Sequence, residues 1–460
     1  MERNRLRPRR QGDPVISDVL GEQRDKTIIH PKSSRMPDSL PNLKIEHRSL
    51  LSLLGTGKIP PVDSVAVGCL SDSILAGTDV SKEEVIHEWY EALPTLSAVT
   101  QTSMGRIGTI VLPCFRSQIY NHATVLSGLV VEALELARQI GARTVSLTGL
   151  IPSATEYGQS VARRISGRHE LPKFTTGHAT IAATVALSIL RILEESGRDL
   201  RLERVGFLGM GSIGKTVLRL MLRCLPHPAE FTLCDIYSTI NLLESVQKDL
   251  KGELGFKGPI KVFRVTDGMP SEFYNCSLLV GATNVAEVLD LERVKPGTLI
   301  VDDRRPQCFK AEDAVRRFLS KGDILFTEGD TLQSPTVITQ LKYIPRQALQ
   351  RLGRPAEAFT RFNPFRIHGC VLSSLLSARY DDLRPTIGFA NDRDSWLHYQ
   401  KLSSLGFQAA GPHCEQFVFQ QEQIRNFRAR FGHFHGESRI SREREKTIAA
   451  SAKSSSRQNR

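Results

Sequence analysis

Short apolar runs separated by turn residues recur along the first part of the chain. The segments SVAVGCL (64–70), IGTIVLP (107–113) and RTVSLTG (143–149) are largely apolar and bounded by polar or turn-forming residues, as buried strands are. Ahead of the third run, residues 122–140 place leucine, valine, alanine and isoleucine at helical spacing, and a glycine follows. The pattern predicts an N-terminal α/β domain over residues 61–173, on the substrate side of the molecule.

A second alternation of helix and strand follows. Residues 174–197 have isoleucine and valine at helical spacing behind two candidate N-cap residues, Thr175 or Thr176. Six apolar runs then alternate with segments of helical pattern, which favours parallel strands. Residues 174–362 are therefore predicted to be a Rossmann dinucleotide-binding domain, with a doubly wound parallel sheet and the fold class α/β. The six runs lie at 204–209, 231–235, 260–265, 277–283, 298–302 and 323–327.

The two ends of the chain differ from its middle. Residues 1–60 are polar and contain several prolines, which predicts a disordered basic arm. Residues 363–424 are predicted to form a C-terminal helical segment, with helices at about 369–381 and 394–406. Residues 425–460 are predicted to be a second disordered basic tail.

The charge of the chain is concentrated at those ends. The net charge is +12 over 460 residues. Residues 1–35 hold nine Lys/Arg against five Asp/Glu, and residues 425–460 hold ten against three, so the middle is nearly neutral. A neutral middle argues against a specific nucleic-acid platform. The basic ends are predicted either to contact an acidic partner or a membrane surface, or to be solvated disorder.

Two further features bound the location and the chemistry. No run of eighteen apolar residues is present, and no apolar stretch follows the first arginines, so neither a transmembrane segment nor a secretion signal is expected. A cytoplasmic location is therefore the expectation. The eight cysteines are scattered without CxxC spacing, which favours neither a disulfide framework nor a metal site.

The segment RVGFLGMGSIGKTV (204–217) runs from a predicted strand directly into a predicted helix. Its three glycines have separate roles, because the first makes the tight turn, the second lets the backbone approach a pyrophosphate, and the third lets helix and strand pack closely. The positive end of the helix then faces the phosphates. The predicted cofactor-binding residues of this turn are Gly209, Met210, Gly211, Ser212, Ile213 and Gly214.

An acidic residue follows at the distance that such a turn requires. Asp235 ends the next predicted strand, 21 residues beyond Gly214. A carboxylate there accepts hydrogen bonds from both ribose hydroxyls and repels a 2′-phosphate, so the sequence favours NAD(H) and leaves NADP(H) open. The alternative is an aspartate that only caps the strand. Ala282, Thr283 and Asn284 end a later strand at the same sheet edge, where they are predicted to line the nicotinamide crevice.

Several motifs occur in a fixed order between about residues 105 and 410. They are GRIGTIVLPCF, SLTGLIPSA, LPKFTTGHAT, VGFLGMGSIGKTV, TLIVDDRRP, a cysteine at a predicted helix start, and IGFANDRDSWLHYQKLSSLGFQ. This order resembles that of the aldehyde-forming long-chain acyl-(acyl carrier protein) reductases. The resemblance is collinear over two thirds of the chain, and TTG and the final LGFQ are its most specific parts outside the dinucleotide motif.

The resemblance implies a cysteine nucleophile, and the matching position is Cys370. It implies that the thiolate takes an acyl group from acyl carrier protein or acyl-CoA, that a nicotinamide hydride reduces the acyl-enzyme, and that an aldehyde leaves. A cysteine near a helix N-terminus has its thiolate favoured by the helix dipole, and Gly369 is expected to leave room for an acyl chain. Residue type alone favours the alternative of a buried structural cysteine.

Three other residues near these motifs are candidates for roles in the site. His178, in TTGH, is the candidate for proton transfer, and an ordinary histidine at a helix start fits the same position. His368 lies two residues before Cys370, so it assists only if the helix begins after it. Cys114, in PCF, is predicted to be a core residue.

The sequence also departs from the pattern of these reductases. They have Asn where this chain has His178, prefer NADPH and lack an acid at the position of Asp235. Their DGGYP is DDRRP here, and the arginines, Arg304 and Arg305, are candidates for gripping an anionic substrate or for facing solvent. The departures leave open a different acyl substrate, or a chain that no longer reduces thioesters.

Two other functions fit a dinucleotide-binding chain of this kind. One is an oxidoreductase similar to shikimate dehydrogenase or glutamyl-tRNA reductase, on a similar two-domain plan. The other is a non-catalytic dinucleotide-binding scaffold that contacts partners through its basic ends. No lysine and aspartate pair of the shikimate type stands at the expected place, so acyl thioester reduction is the leading prediction.

Overall fold

The computed structural model describes residues 42–433 except 122, 239, 267, 304–306 and 353–356. Most of the predicted basic arm and most of the basic tail therefore lie outside the described residues. The strands are β1 Leu43–Glu46, β2 Ser64–Leu70, β3 Thr95–Thr102, β4 Gly105–Phe115, β5 Thr144–Leu147, β6 Lys173–Thr175, β7 Arg204–Leu208, β8 Glu230–Asp235, β9 Ile260–Arg264, β10 Leu278–Gly281, β11 Thr298–Asp302, β12 Ile324–Glu328, β13 Thr331–Gln333, β14 Thr339–Tyr343, β15 Arg366–His368, β16 Gln408–Ala409, β17 His413–Cys414 and β18 Phe417–Val418.

Helices separate these strands. In the part of the chain that the structure describes, no helix is both long enough and apolar enough to span a bilayer. The helices are α1 Leu50–Gly55, α2 Lys82–Glu84, α3 Ala123–Gln139, α4 Ile151–Ala154, α5 Gln159–Arg164, α6 His178–Ser196, α7 Ser212–Cys224, α8 Ile240–Gly252, α9 Ser271–Tyr274, α10 Ala311–Lys321, α11 Arg346–Leu352, α12 Glu357–Thr360, α13 Gly369–Arg379, α14 Asp392–Ser404 and α15 Gln421–Phe431.

One sheet has six strands, all parallel, in the order β12-β11-β10-β7-β8-β9. Each of the six apolar runs predicted as strands forms one of them. Five of these strands are buried along almost their whole length between helices, whereas β9, at the sheet edge, is only partly buried. The strand order reverses between β7 and β10, so the carboxyl ends of these two strands border a crevice. The predicted fold class, α/β with a doubly wound Rossmann sheet, is confirmed.

The other large sheet has seven strands in the order β1-β14-β3-β4-β2-β5-β6. Strands β4, β2, β5 and β6 are parallel, whereas β3 is antiparallel to both β4 and β14. Strand β14 comes from residues that the sequence pattern assigned to the Rossmann domain, and its hydrogen bonds place it in this first sheet. Its exposed and half-buried side chains gave no strong apolar run.

The structure differs from the predicted disordered arm within residues 43–55. Strand β1 pairs with β14 in parallel, and Leu50 and Leu53 of helix α1 are buried. The spacing of these two leucines puts them on one side of a short helix, which buries them against the sheet. Proline content alone therefore overestimated the length of the arm.

Helices α6 and α13 lie between the two large sheets. Helix α6 is buried along most of its length and packs against β11, β12 and α13, while α13 also packs against β2 and β5. The N-cap of α6 is Gly177, in the left-handed conformation with φ +73°, so the prediction of Thr175 or Thr176 is wrong. The Thr175 hydroxyl instead accepts a hydrogen bond from the N–H of Thr386 at 3.1 Å. The starts of α6 and α13 thus meet beside the Rossmann crevice.

Candidate functional site

The glycine-rich turn connects β7 to α7 in the way that a dinucleotide-binding turn requires. Gly209 has φ +97°, and a Cβ at this position would lie 2.6 Å from the carbonyl oxygen of Ala282. A Cβ on Gly214 would overlap the carbonyl oxygen of Gly209. The turn and the start of the helix are therefore packed too closely for any side chain at these two positions.

Gly211 has a different surrounding. The nearest atom to a Cβ placed on it is Tyr157 Oη, at 3.8 Å, and its φ is an ordinary −71°. The space beside its backbone is open, and helix α7 begins at the next residue with N–H groups that point out of the helix end. Met210, Ser212 and Ile213 are buried at the same turn. This arrangement suits close approach of a pyrophosphate to the backbone.

Asp235 lies at the end of β8, against this turn. Its Oδ2 accepts a hydrogen bond from the N–H of Met210, and its Oδ1 accepts from the N–H groups of Tyr237 at 2.7 Å and Ser238 at 2.6 Å. A carboxylate has about four acceptor positions. Three are taken by the backbone, so about one is left for a ribose hydroxyl, fewer than the two hydroxyls that the sequence led us to expect.

The residues after β10 form the far side of the crevice. The N–H of Ala282 donates to the carbonyl of Leu208 at 2.8 Å, which holds the end of β10 beside the end of β7. Thr283 is buried, and its hydroxyl accepts from the N–H of Val285 at 3.2 Å. Asn284 Nδ2 donates to Tyr120 Oη at 3.1 Å, a contact between the loop after β10 and the first sheet's domain.

His178 joins the start of α6 to the glycine-rich turn. Its side chain is 1% exposed, and its Nδ1 lies 2.9 Å from Ser212 Oγ, which also accepts from the N–H of Ala390 at 3.1 Å. Because Nδ1 is bonded to Ser212, any proton that His178 exchanges with a substrate passes through Nε2. The predicted proton-transfer residue and a residue of the predicted cofactor turn are therefore in direct contact.

Tyr157 belongs to the same group of residues and was missed by the sequence analysis. Its ring packs on Phe389 with centroids 4.6 Å apart and meets the His178 ring edge-on at 5.9 Å. Glu156 and Tyr157 both have positive φ, 52° and 56°, which costs backbone strain in residues with a Cβ. In this conformation Tyr157 Oη lies 3.8 Å from the position of a Cβ built on Gly211. The following glycine, Gly158, was the available sequence signal for such a turn.

Cys370 lies in the first turn of α13, after the N-cap His368. A Cβ placed on Gly177 would lie 3.5 Å from Cys370 Cα. Cys370 therefore packs directly against the TTG turn. Cys370 is half-buried, and the backbone N–H groups of Gly149 and Val371 act on its thiol electrostatically. The structure thus places Cys370, His178 and the glycine-rich turn at adjoining positions.

The expectation that the helix dipole makes Cys370 a stable thiolate is wrong. Burial raises the pKa of the Cys370 thiol to about 12, and the carboxylates of Asp330 and Asp303 raise it further. The backbone N–H groups of Gly149 and Val371 act in the opposite direction but do not outweigh these effects. Desolvation and two nearby carboxylates therefore keep the thiol protonated at neutral pH.

This environment predicts the pH dependence of Cys370 reactivity. The thiolate is the reactive form, so with a raised pKa its fraction grows about tenfold per pH unit through the neutral range. We expect the rate of iodoacetamide labelling of Cys370 to rise about tenfold per unit between about pH 7 and about pH 10 without levelling. Mass spectrometry of the peptide that contains Cys370 measures this rate. A plateau near neutral pH would show that the helix dipole prevails instead.

Two further expectations concern the neighbours of Cys370, namely the room beside Gly369 and the position of His368 relative to the helix start. Gly369 does not leave room for an acyl chain, because a Cβ there would lie 2.5 Å from Thr184 Oγ1 of helix α6. Helix α13 does begin after His368, but the His368 ring is half exposed and its Nδ1 bonds Asp330 Oδ2 at 3.1 Å. Gly369 therefore allows two helices to pack.

A cavity of about 480 Å³ lies between helices α3, α4 and α5. Its lining includes Tyr120, Ser153, Arg163 and Arg164. Tyr120 Oη bonds Ser153 Oγ at 2.9 Å and accepts from Asn284, so the cavity adjoins the loop after β10. The predicted anion-binding arginines at 304 and 305 lie outside the described residues.

Known proteins resemble this chain only distantly. No protein-family model matches the chain, and no curated protein matches it. One solved structure that resembles it is L-tryptophan dehydrogenase from Nostoc punctiforme, with 12% identity, coverage of 80% of this chain and 88% of that one, and a TM-score of 0.32. Another is shikimate 5-dehydrogenase from Listeria monocytogenes in complex with shikimate and NAD, with 11% identity, coverage of 58% of this chain and 86% of that one, and a TM-score of 0.28. The match to Thermococcus litoralis Δ1-pyrroline-2-carboxylate reductase, in complex with NADH and L-proline, covers 27% of this chain and 36% of that one, with 15% identity and a TM-score of 0.22.

Proposed function

We propose that this chain is a nicotinamide-dependent oxidoreductase that reduces an acyl thioester to an aldehyde through Cys370. The observation that carries the proposal is the meeting of three elements. Gly177 packs on Cys370, and the next residue, His178, bonds Ser212 of the glycine-rich turn. A thiol, an imidazole and a dinucleotide-type turn at one crevice are the groups that such a reduction needs.

The residues of the turn fit a dinucleotide. A Cβ on Gly211 would fill the space beside the backbone where a pyrophosphate approaches, and the N–H groups at the start of α7 face that space. Asp235 places a negative charge at the end of β8, which favours NAD(H), with NADP(H) as the alternative. When bound, the reduced nicotinamide supplies a hydride. Ala282, Thr283 and Asn284 are the residues proposed to line its crevice.

Cys370 forms and breaks the covalent bond in this proposal. Its sulfur attacks the thioester carbonyl carbon, the carrier thiol leaves, and the Cys370 proton passes to that leaving thiol. The acyl-Cys370 thioester then receives a hydride at its carbonyl carbon. The resulting oxyanion collapses to the aldehyde as the C–S bond breaks, and the Cys370 thiolate that leaves takes up one proton from solvent to return to the thiol. N–H groups in the first turn of α13 are the nearest backbone donors for the oxyanion.

His178 is the proposed group for proton transfer. Because its Nδ1 is bonded to Ser212, the ring orientation is fixed by the cofactor turn itself. The raised pKa of Cys370 makes this role necessary, since a protonated thiol needs a base before it can attack.

The proposed substrates are thioesters of acyl carrier protein or of CoA. Both present the acyl group on a long, phosphate-bearing arm. The cavity beside Asn284 has two arginines in its lining, Arg163 and Arg164, although Arg163 also pairs with Glu156 at 2.8 Å. The basic ends of the chain, at 1–35 and 425–460, are the proposed contacts for an acidic carrier or a membrane surface.

Covalent capture tests the proposal. We expect the full chain, incubated with a long-chain acyl-CoA and no reductant, to gain the mass of one acyl group on the peptide that contains Cys370. Addition of NADH is expected to remove that mass and release the aldehyde. Acylation of other cysteines at the same rate, or no acylation at any pH, would contradict the proposal.

The raised pKa of Cys370 favours a second candidate. An oxidoreductase that passes a hydride directly to or from a carbonyl or hydroxyl substrate, as in the alternative similar to shikimate dehydrogenase, needs no thiolate. In that case Cys370 is a packing residue between α13 and the TTG turn. If the incubation with acyl-CoA gives no covalent adduct and the chain still binds NADH, the result would support this candidate.

Cofactor choice is tested by replacing Asp235 with Asn. The charge that repels a 2′-phosphate is removed, so we expect the ratio of NADPH to NADH affinity to rise about tenfold. Affinity for both falls, because the new amide NH₂ faces the N–H of Met210, so the ratio is the informative quantity. Fluorescence titration with each cofactor measures it. Glu272→Gln, at a half-buried position on α9, is the control, and an unchanged ratio in Asp235→Asn would remove the proposed role.

A further inference from the structure

Two cysteines outside the proposed active site lie side by side in the first sheet. Cys69 is near the end of β2, Cys114 is near the end of β4, and their sulfur atoms are 3.3 Å apart. Both residues are half-buried, and both are free thiols. This distance is short enough for a hydrogen bond between the two sulfurs and close to the approach needed for a covalent bond.

A bulge between neighbouring parallel strands brings the two thiols together. Cys69 pairs with Leu112 and Leu70 with Phe115. Pro113 and Cys114 of β4 therefore have no partner residue in β2. Cys114 is one of these two residues, which turns its side chain towards Cys69. Bulges between parallel strands are rare, and they commonly redirect a side chain. Neighbouring strands are about 4.8 Å apart, within the range of Cα separations that a disulfide bridges.

The pair lies on the side of the sheet away from Cys370. Cys69 and Cys114 pack against the apolar cluster that includes Val65, Val67 and helix α3. Ser64 points to the opposite side, where its hydroxyl bonds Ser374 of helix α13, the helix of Cys370. The two thiols are therefore separated from the proposed nucleophile by the sheet.

The two thiols are not equivalent. The hydrogen bond between the two sulfurs lowers the pKa of the Cys114 thiol, which favours a thiolate at Cys114. The same bond, together with burial, raises the pKa of Cys69. Cys114 is therefore the attacking sulfur and Cys69 the resolving one.

We propose that Cys69 and Cys114 form a redox-active pair that is oxidised to an intramolecular disulfide by small-molecule disulfides such as glutathione disulfide. The Cys114 thiolate attacks one sulfur of the small disulfide, and one thiolate leaves. The Cys69 sulfur then attacks Cys114 in the mixed disulfide, its proton passes to the second leaving thiolate, and the protein disulfide forms. Two protein thiols are oxidised and one small disulfide is reduced to two thiols.

The test treats the folded full chain with glutathione disulfide, blocks remaining thiols with N-ethylmaleimide and maps the products by mass spectrometry. We expect a cross-linked peptide pair containing Cys69 and Cys114. In Cys69→Ala the resolving thiol is absent, so Cys114 is expected to accumulate a mixed disulfide with glutathione. In Cys114→Ala the attacking thiol is absent, so no cross-linked peptide pair containing Cys69 is expected.

Two controls separate this site from the rest of the chain. Cys224→Ala removes another half-buried thiol, on α7, and is expected to leave the cross-link unchanged. Cys370→Ala is also expected to form the cross-link at the unaltered rate, so the result is independent of the proposed thioester chemistry. The proposal is overturned if Cys69 and Cys114 stay reduced in the folded wild type, or if either forms its disulfide with a different cysteine.

Discussion

Replacing Cys370 with alanine is expected to lower the rate of aldehyde formation from an acyl thioester by at least about 10³-fold. The substitution removes the only atom that forms a bond to the acyl group in the proposed reaction. It leaves the first turn of α13 intact, because alanine is the best helix former. Steady-state measurement of aldehyde release with acyl-CoA and NADH gives the size of the effect.

The same variant distinguishes the two candidate functions. The glycine-rich turn does not include Cys370, so we expect NADH affinity to stay within about twofold of the wild type. Cys224→Ala is the matched control, since Cys224 is also a half-buried helical cysteine whose pKa burial raises to about 12. Full activity in Cys370→Ala would exclude the covalent mechanism and leave direct hydride transfer.

Sequence pattern located the Rossmann sheet well because most of its strands are buried on both faces. Runs such as 298–302 contain few polar residues, and strand β11 occupies exactly the predicted range, Thr298–Asp302. The glycines of the turn and the acid at β8 were found because local backbone geometry requires them. Features set by local chemistry were therefore available from the sequence.

Features set by distant contacts were not available. Strand β14 joins the first sheet although about 160 residues separate it from β6 along the chain, and its half-exposed residues carry no strong period. The position of Tyr157 depends on two strained residues and on packing against Phe389, far away in sequence. Such contacts leave no mark on the local pattern of hydrophobic and polar residues.

The error about the Cys370 thiolate has the same origin. The sequence shows a cysteine at a helix start, and that position alone favours the thiolate. Asp303 and Asp330, which follow β11 and β12, approach the thiol only after the Rossmann sheet has packed against α6 and α13. Burial and these two carboxylates outweigh the helix end. Sequence identified the candidate, and tertiary structure determined its protonation state.

Gly211→Ala is expected to weaken NADH binding at least about 100-fold without lowering the melting temperature. A methyl group at this position meets no atom of the protein closer than Tyr157 Oη, at 3.8 Å, and the backbone φ of −71° suits alanine. The fold therefore tolerates the change. The methyl group occupies the space that a pyrophosphate needs, so the loss appears in binding alone. Isothermal titration and thermal unfolding of one preparation measure both quantities.

Substitutions at two other glycines serve as comparisons for Gly211→Ala. Gly214→Ala puts a Cβ into the carbonyl oxygen of Gly209, so it should lower both NADH affinity and the melting temperature. Gly128→Ala, in helix α3, has no atom within 4 Å of the new Cβ, so it should leave binding unchanged and favour the helix by up to about 1 kcal/mol. If Gly211→Ala binds NADH as tightly as Gly128→Ala does, the turn does not hold a pyrophosphate. The oxidoreductase proposal would then lose its cofactor site, whatever Cys370 does.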